Sequence, residues 1–239
     1  MTSTTGSSNK PTTAVASRPD HLVLRPMTVE DQGEVAQLFV ETFQREPLGA
    51  YHGVGLPEGR EIAKASVKDQ VSFVVEDTSL AGPRRLVAFR TSCLLTAEKL
   101  HKKQPQSQDG SESEEGDDVQ GILSHMTDLW LNKTTLFKEK PDAKVMKFIA
   151  LGVDSRYEGL GLAKELLNAA MGKAKELDCD AVVVVASAFA TQHLFRNRLG
   201  FEEMGQVRYS EWTKGKSGRR PFENLHEPEF LEIFEKRLK

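Results

Sequence analysis

Apolar and polar positions alternate over His21-Leu22-Val23-Leu24-Arg25-Pro26, which predicts a short first strand. Thr28 then precedes Glu30 and Asp31, acids that suit the first turn of a helix, and Val35, Leu38, Phe39 and Phe43 recur at helical spacing. A second helix is predicted over 60–71. Strands are predicted over 71–75 and 86–95, joined through Ala81-Gly82-Pro83. A further helix runs from about 122 to 140 with Trp130, Leu131 and Phe137. The second half is more regular. Residues 145–153 form a strongly apolar strand, and 159–177 form a helix with Leu162, Leu166, Ala170, Ala174 and Leu177 along one face. The run Ala181-Val182-Val183-Val184-Val185-Ala186 reads as a strand buried on both faces. A helix over 191–198 closes at Leu199-Gly200-Phe201, and 207–212 gives another strand. Residues 230–234 fit a strand or a short helix. Strands alternating with helices make this an α/β chain, with helices on the faces of a central sheet.

Two stretches fall outside the pattern. Residues 1–20 are polar, Thr/Ser-rich and predicted to be disordered. So is an insertion at about 102–120, where 104–118 carries no apolar side chain and is strongly acidic. The rest, 21–239, is long enough for one domain with a sizeable core. The net charge of −3 argues against nucleic acid as a partner. No apolar run spans a membrane, and the polar N-terminus lacks a secretory h-region, so a cytoplasmic protein is expected. The six histidines show no ligand spacing, so no metal is expected. Cys93 and Cys179 lack CxxC spacing and read as free thiols in a reducing compartment. The oligomeric state is open, and a monomer is allowed.

The chemistry concentrates where the apolar strand meets its helix, in Leu151-Gly152-Val153-Asp154-Ser155-Arg156-Tyr157-Glu158-Gly159-Leu160-Gly161-Leu162-Ala163. Gly159 and Gly161 let backbone approach a ligand closely. Free N–H groups and the dipole at the helix start favour a pyrophosphate. Arg156 adds a fixed charge and several donors. The spacing is neither GxGxxG nor GxxxxGK[ST] but Arg-x-x-Gly-x-Gly. On residue chemistry alone this is an anion-cradling turn, or a tight strand-to-helix turn with two structural glycines. Tyr157 is expected to point outward.

In this setting the pattern resembles the acetyl-CoA motif [Arg/Gln]-x-x-Gly-x-[Gly/Ala] of the GNAT superfamily of N-acetyltransferases. The resemblance implies a mixed, mostly antiparallel sheet with a central strand splayed near Val153, and acetyl-CoA as co-substrate. It implies that Arg156, Gly159 and Gly161, with Leu160, Leu162 and Ala163, hold the pyrophosphate. Leu151 and Val153 would pair with the pantetheine arm, and an N–H near Gly152 or Val153 would polarise the thioester carbonyl.

A second segment, Phe43-Gln44-Arg45-Glu46-Pro47-Leu48, looks like the Phe-x-x-Glu-Pro-Leu segment of invertebrate arylalkylamine (dopamine-type) N-acetyltransferases. That resemblance implies direct acetyl transfer to a small arylalkylamine, with Glu46 as general base. A base is wanted because a primary amine with a pKa near about 10.4 is almost wholly protonated at neutral pH. An ordinary carboxylate, pKa about 4.3, is weak for this unless burial or ordered water helps. Without the resemblance Glu46 is a helix-end carboxylate before a proline. Ser187 fits the first of the family's two substrate-orienting serines, and is equally a strand-end turn former. Thr191 is the hydroxyl nearest the second. Departures are visible too. Lys147-Phe148-Ile149-Ala150-Leu151 holds no histidine, unlike the vertebrate enzymes, and Phe195 stands near the place where many GNAT proteins carry a thiolate-protonating tyrosine. His193 reads as a surface residue, Tyr51 and His52 as a loop or a pocket wall, and 214–220 as a basic loop. A protein, peptide or polyamine acetyltransferase and a non-catalytic acyl-CoA-binding module remain open alternatives.

Overall fold

The structure, a computed structural model, describes residues 19–103, 118–214 and 218–239. Most of the predicted tail and insertion, at 1–18 and 104–117, lies outside the described residues. The described chain forms one seven-stranded sheet in the order β1-β2-β3-β4-β5-β7-β6. The strands are β1 (Leu22–Pro26), β2 (Phe73–Asp77), β3 (Leu86–Leu95), β4 (Val145–Val153), β5 (Ala181–Ala186), β6 (Glu202–Arg208) and β7 (Phe230–Arg237). Every neighbouring pair is antiparallel except β4 and β5. The mixed, mostly antiparallel sheet expected from the resemblance is therefore present.

The parallel pair opens, and the cause is local. Thr91 of β3 pairs with Ala150 and Ser92 with Phe148, so Ile149 is an extra residue on β4. The Thr91 hydroxyl stitches this bulge by accepting from the Ala150 N–H at 3.1 Å. A bulge bends and twists its strand. β4 pairs with β5 only from Val145 to Phe148, whereas β5 continues beside β7 as far as Ala186. From Ile149 onward the two strands diverge into a cleft.

Helices α1 (Gln32–Phe43) and α3 (Leu56–Ser66) cover one face of the sheet, packing Val35, Phe39 and Ala63 with Val74, Phe89 and Ala150. Helix α7 (Leu162–Glu176) covers the other, with Leu167, Ala170 and Ala174 against Met146, Phe148 and Val184. The amphipathic stripe read from the sequence is the stripe that is buried. Between α1 and α3 sits the short α2 (Pro47–His52), and α4 (Ala97–Lys103) follows β3. α5 (Asp118–Lys133) packs Ile122, Met126 and Trp130 with Val183, Leu231 and Ile233. α8 (Phe189–Asn197) follows β5.

Several boundaries differ from the periodicity. The helix over 122–140 divides into α5 and a one-turn α6 (Leu136–Glu139). At the break, the Thr134 hydroxyl donates to Glu235 and accepts from the Leu136 N–H. The helix over 60–71 runs instead from Leu56 to Ser66, started by Glu58 capping the Gly55 N–H at 3.0 Å. The strand over 207–212 is β6 at Glu202–Arg208, followed by a 3₁₀ turn, Tyr209–Glu211. The 230–234 segment is a strand. Cys93 and Cys179 are free thiols. Among the described residues no helix is long and apolar enough to cross a membrane.

Candidate active site

The β4 side of the cleft follows from strand alternation. The Asp154 N–H bonds Val87 O of β3 at 2.8 Å, and the Ala150 N–H bonds Thr91. Even-numbered amides here therefore face β3, and those of Leu151 and Val153 face the cleft. Gly152 is thus corrected as a polarising amide: its N–H points at β3. Its lack of a side chain answers a packing need, because a Cβ there would come within 2.3 Å of the Phe89 ring.

Beyond Val153 the chain makes a 3₁₀ turn, Ser155–Tyr157, and enters α7 through Gly159 and Gly161 with φ of 81° and 80°. Both conformations are left-handed and favour glycine. A Cβ added at either would meet nothing within 4 Å, so the turn is open outward. Among the described residues the N–H groups of Gly159 through Lys164 find no backbone acceptor, as expected of a helix start. Leu160 is exposed, while Leu162 is buried under the helix and packs with Leu166 on Val87 and Ala88. Ala163 is half-buried in the first turn of α7. Arg156 is exposed and ion-paired with Asp154 at 2.7 Å, which holds the Asp154 carboxyl below its ordinary range. Tyr157 turns inward, against expectation, and donates to Asp77 at 2.6 Å. That bond fastens the turn to β2.

Glu46 enters from the end of α1. It is the N-cap of α2, where Oε2 accepts the Gly49 N–H at 3.0 Å. Its Oε1 is buried and has no hydrogen-bond partner. The neighbouring Arg45 reaches the Val153 carbonyl at 3.4 Å and Glu158 at 3.2 Å, which sets this corner beside the splayed end of β4. A residue that the sequence reading did not single out joins it: Tyr209, fully buried, its hydroxyl also without a partner. Burial, and then the Glu46 carboxylate, push the Tyr209 phenol well above its ordinary range. Phe222 lies 6.0 Å from the Tyr209 ring, 6.1 Å from Tyr51 and 5.6 Å from Trp212. Leu48 belongs to the same apolar cluster. A carboxylate and a phenol are thus set in an aromatic wall.

Ser187 lies in the β5–α8 connection and Thr191 in the first turn of α8, both half-buried. Gln192 bonds the Ala186 and Phe230 carbonyls, locking that connection to β7. No hydrogen bond joins Ser187 or Thr191 to Glu46 among the described residues. Phe195 is buried, 4.8 Å from Phe201 and 6.3 Å from Phe234, so it serves the core and does not line the cleft. Lys214 and Arg219 of the basic loop pair with Asp118 at the start of α5.

The sequence profile of the acetyltransferase (GNAT) family matches residues 124–201, from α5 through β4, the turn, α7, β5 and α8. No curated protein matches in sequence. Solved structures match nearly end to end at low identity. A polyamine N-acetyltransferase of Drosophila melanogaster that catalyses the formation of N-acetylagmatine gives a TM-score of 0.70 at 18% identity, covering 91% of this chain and 100% of that one. An agmatine N-acetyltransferase mutant in apo form gives 0.69 at 18% identity, over 92% and 100%. Arylalkylamine N-acetyltransferase 2 from Aedes aegypti gives 0.68 at 20% identity, over 92% and 100%. The family profile thus lies on the splayed strand and the glycine turn, residues 124–201 of the protein match a GNAT acetyltransferase, and the rest of the sheet follows the same fold.

Proposed function

We propose that this domain moves an acetyl group from acetyl-CoA to a small primary amine, with an arylalkylamine as the favoured acceptor. The observation that carries this reading is the buried, unpartnered Glu46 Oε1 at the corner beside the splayed end of β4. The open glycine turn and its free amides suit the CoA pyrophosphate. Arg156 would leave Asp154 to join them. The Leu151 and Val153 amides suit the pantetheine arm, and Val153 N–H is the donor best placed to polarise the thioester carbonyl.

The chemistry is direct. Glu46 attracts the ammonium and takes its proton. The amine nitrogen attacks the thioester carbon, the carbon–sulfur bond breaks as the nitrogen loses its second proton to water, and the thiolate leaves and takes up a proton from solvent as CoA. With Phe195 in the core, no dedicated acid for the thiolate is assigned, and a thiolate of pKa about 8.5 needs little help. Ser187 and Thr191 would orient the acceptor from the β5 side. The aromatic wall of Tyr51, Phe222 and Trp212 favours a ring-bearing amine. The agmatine and polyamine substrates of two structural neighbours support a second reading, a flexible cationic acceptor.

Thiol release from acetyl-CoA, measured against dopamine, tryptamine, agmatine, spermidine and a lysine peptide, tests the assignment. Turnover is expected with the aromatic amines first. A preference for agmatine or spermidine would replace the arylalkylamine by a polyamine, and CoA binding without turnover would leave an acyl-CoA-binding module. The turn has its own test. Gly161→Ala forces a side chain into a left-handed conformation that costs roughly 1–2 kcal/mol. Acetyl-CoA affinity by titration calorimetry should fall about tenfold if the turn shifts to relieve that strain. Unchanged affinity would remove the turn from the binding site.

A further inference from the structure

Buried tyrosine hydroxyls usually find a partner, and so do buried carboxylate oxygens. Here two lie unpartnered, Tyr209 Oη and Glu46 Oε1, the first in the apolar cluster that takes in Leu48 of the helix capped by the second. We propose that they form a two-point receptor for the acceptor's ammonium group, Tyr209 being a substrate-contact residue. This rests on the acetyltransferase reading and adds to it the group that positions the amine.

The orphaned atoms belong to rigid surroundings. Tyr209 begins the 3₁₀ turn after β6, its N–H bonds Glu229 O at 3.1 Å, and its ring is fully buried against Phe222. Glu46 is anchored through its other oxygen to Gly49, at the head of α2. Neither group is therefore free to swing towards a new partner. Leu48 and Tyr51, on the helix that Glu46 caps, pack with Phe222, which also packs on the Tyr209 ring, yet no hydrogen bond joins the carboxylate to the phenol. A group placed between them that offers two N–H donors satisfies both, and a primary ammonium offers three. The phenol is held in its neutral form, so Tyr209 does not take the proton. It accepts one N–H while Glu46 removes another, and this fixes the nitrogen lone pair as it forms. The unpaired hydroxyl is a standing cost in the free protein that the substrate relieves, a common trade of stability for function.

The test is Tyr209→Phe in the full chain, which removes one oxygen and keeps the packing. The amine kcat/KM should fall about ten- to a hundredfold, mostly through KM, with the acetyl-CoA KM within about twofold. The melting temperature should stay level or rise, because an unsatisfied hydroxyl has gone. A lowered melting temperature would show that the hydroxyl has a structural partner, and unchanged amine kinetics would show that no substrate touches it. Either result overturns the proposal. In a double-mutant cycle with Glu46→Gln, two groups holding one ammonium should lose less together than the product of their separate losses. Full multiplicativity overturns the shared receptor. If the wild type acetylates none of the amines, the acetyltransferase reading itself fails. Calorimetric titration of tryptamine and of agmatine into the CoA complex then decides: tighter binding to wild type than to Tyr209→Phe supports the receptor, and equal or absent binding ends it.

Discussion

Glu46→Gln should lower kcat/KM for the accepted amine by at least about tenfold, and by as much as the 10²–10⁴ range of general-base catalysis, while acetyl-CoA binding stays within about twofold. The glutamine carbonyl can still accept the Gly49 N–H, so the α2 cap survives and the melting temperature should barely move. What is lost is the charge on the buried oxygen and its capacity to take a proton. At neutral pH roughly one primary amine in a few thousand is unprotonated, equivalent to about 4–5 kcal/mol of barrier, and that is the deficit a positioned carboxylate offsets. The variant must wait for free base from solution. Its log(kcat/KM) should therefore climb with pH towards the amine's own pKa near about 10, and the gap to wild type should narrow as it does. Parallel profiles for the two proteins would return Glu46 to the role of helix cap.

Where the site could be read in advance, the signal was local. Residues 86–95 and 145–153 are β3 and β4 with the predicted limits, because each is a mostly apolar run bounded by charged residues, Arg84-Arg85 before β3 and Asp154 after β4. The glycine turn was legible because its job is done by backbone, and backbone requirements show as residue types. Ile149 was not legible as a bulge. It is an extra residue only relative to β3, and the Thr91 hydroxyl that stabilises the bulge bonds the Ala150 N–H across 59 residues of chain. α2 was missed because a six-residue helix has no period to detect; it starts where the Glu46 side chain caps it. Tyr209 was missed because β6 is edge-like and polar, Glu202-Glu203-Met204-Gly205-Gln206-Val207-Arg208, so the strand was placed too late. That shift turned the first residue of a turn into one more strand position. Phe195 shows the converse: its place along α8 suggested the cleft, and packing against Phe201 and Phe234 puts it in the core.

Arg90→Met should make the protein markedly more stable. Arg90 stands in β3 between Phe73 and Leu151, is 3% exposed, and has no acid paired with it among the described residues. Its Nε and Nη2 lack partners, as does the hydroxyl of the buried Ser92, two residues along the same strand. Among the described residues it is compensated by the Phe148 ring, 3.9 Å from the guanidinium, an interaction worth about 2 kcal/mol when desolvated. Arg25 shows the usual solution, a guanidinium with Asp31 and Glu76 at 2.8 and 2.9 Å. Burial pushes the Arg90 guanidinium from its ordinary range down to about 9, in keeping with a poorly accommodated charge. Methionine keeps most of the volume and removes the charge. Replacing even a buried ion pair by apolar groups of similar volume gains about 1–4 kcal/mol, and the unpaired Arg90 charge has less to lose. At ~2–4 °C per kcal/mol for a chain of this size, a rise of roughly 2–16 °C is expected. The pH dependence gives an independent check. Below pH 9 both folded and unfolded chains carry the proton, and the penalty is constant. Between about 9 and the ordinary guanidinium range the unfolded chain binds more protons than the folded one, so wild-type stability gains with rising pH relative to the variant. Urea unfolding of both proteins at pH 8, 9.5 and 10.5 should show the difference shrinking. A wild type as stable as Arg90→Met at pH 8 would mean that the guanidinium is satisfied where it lies.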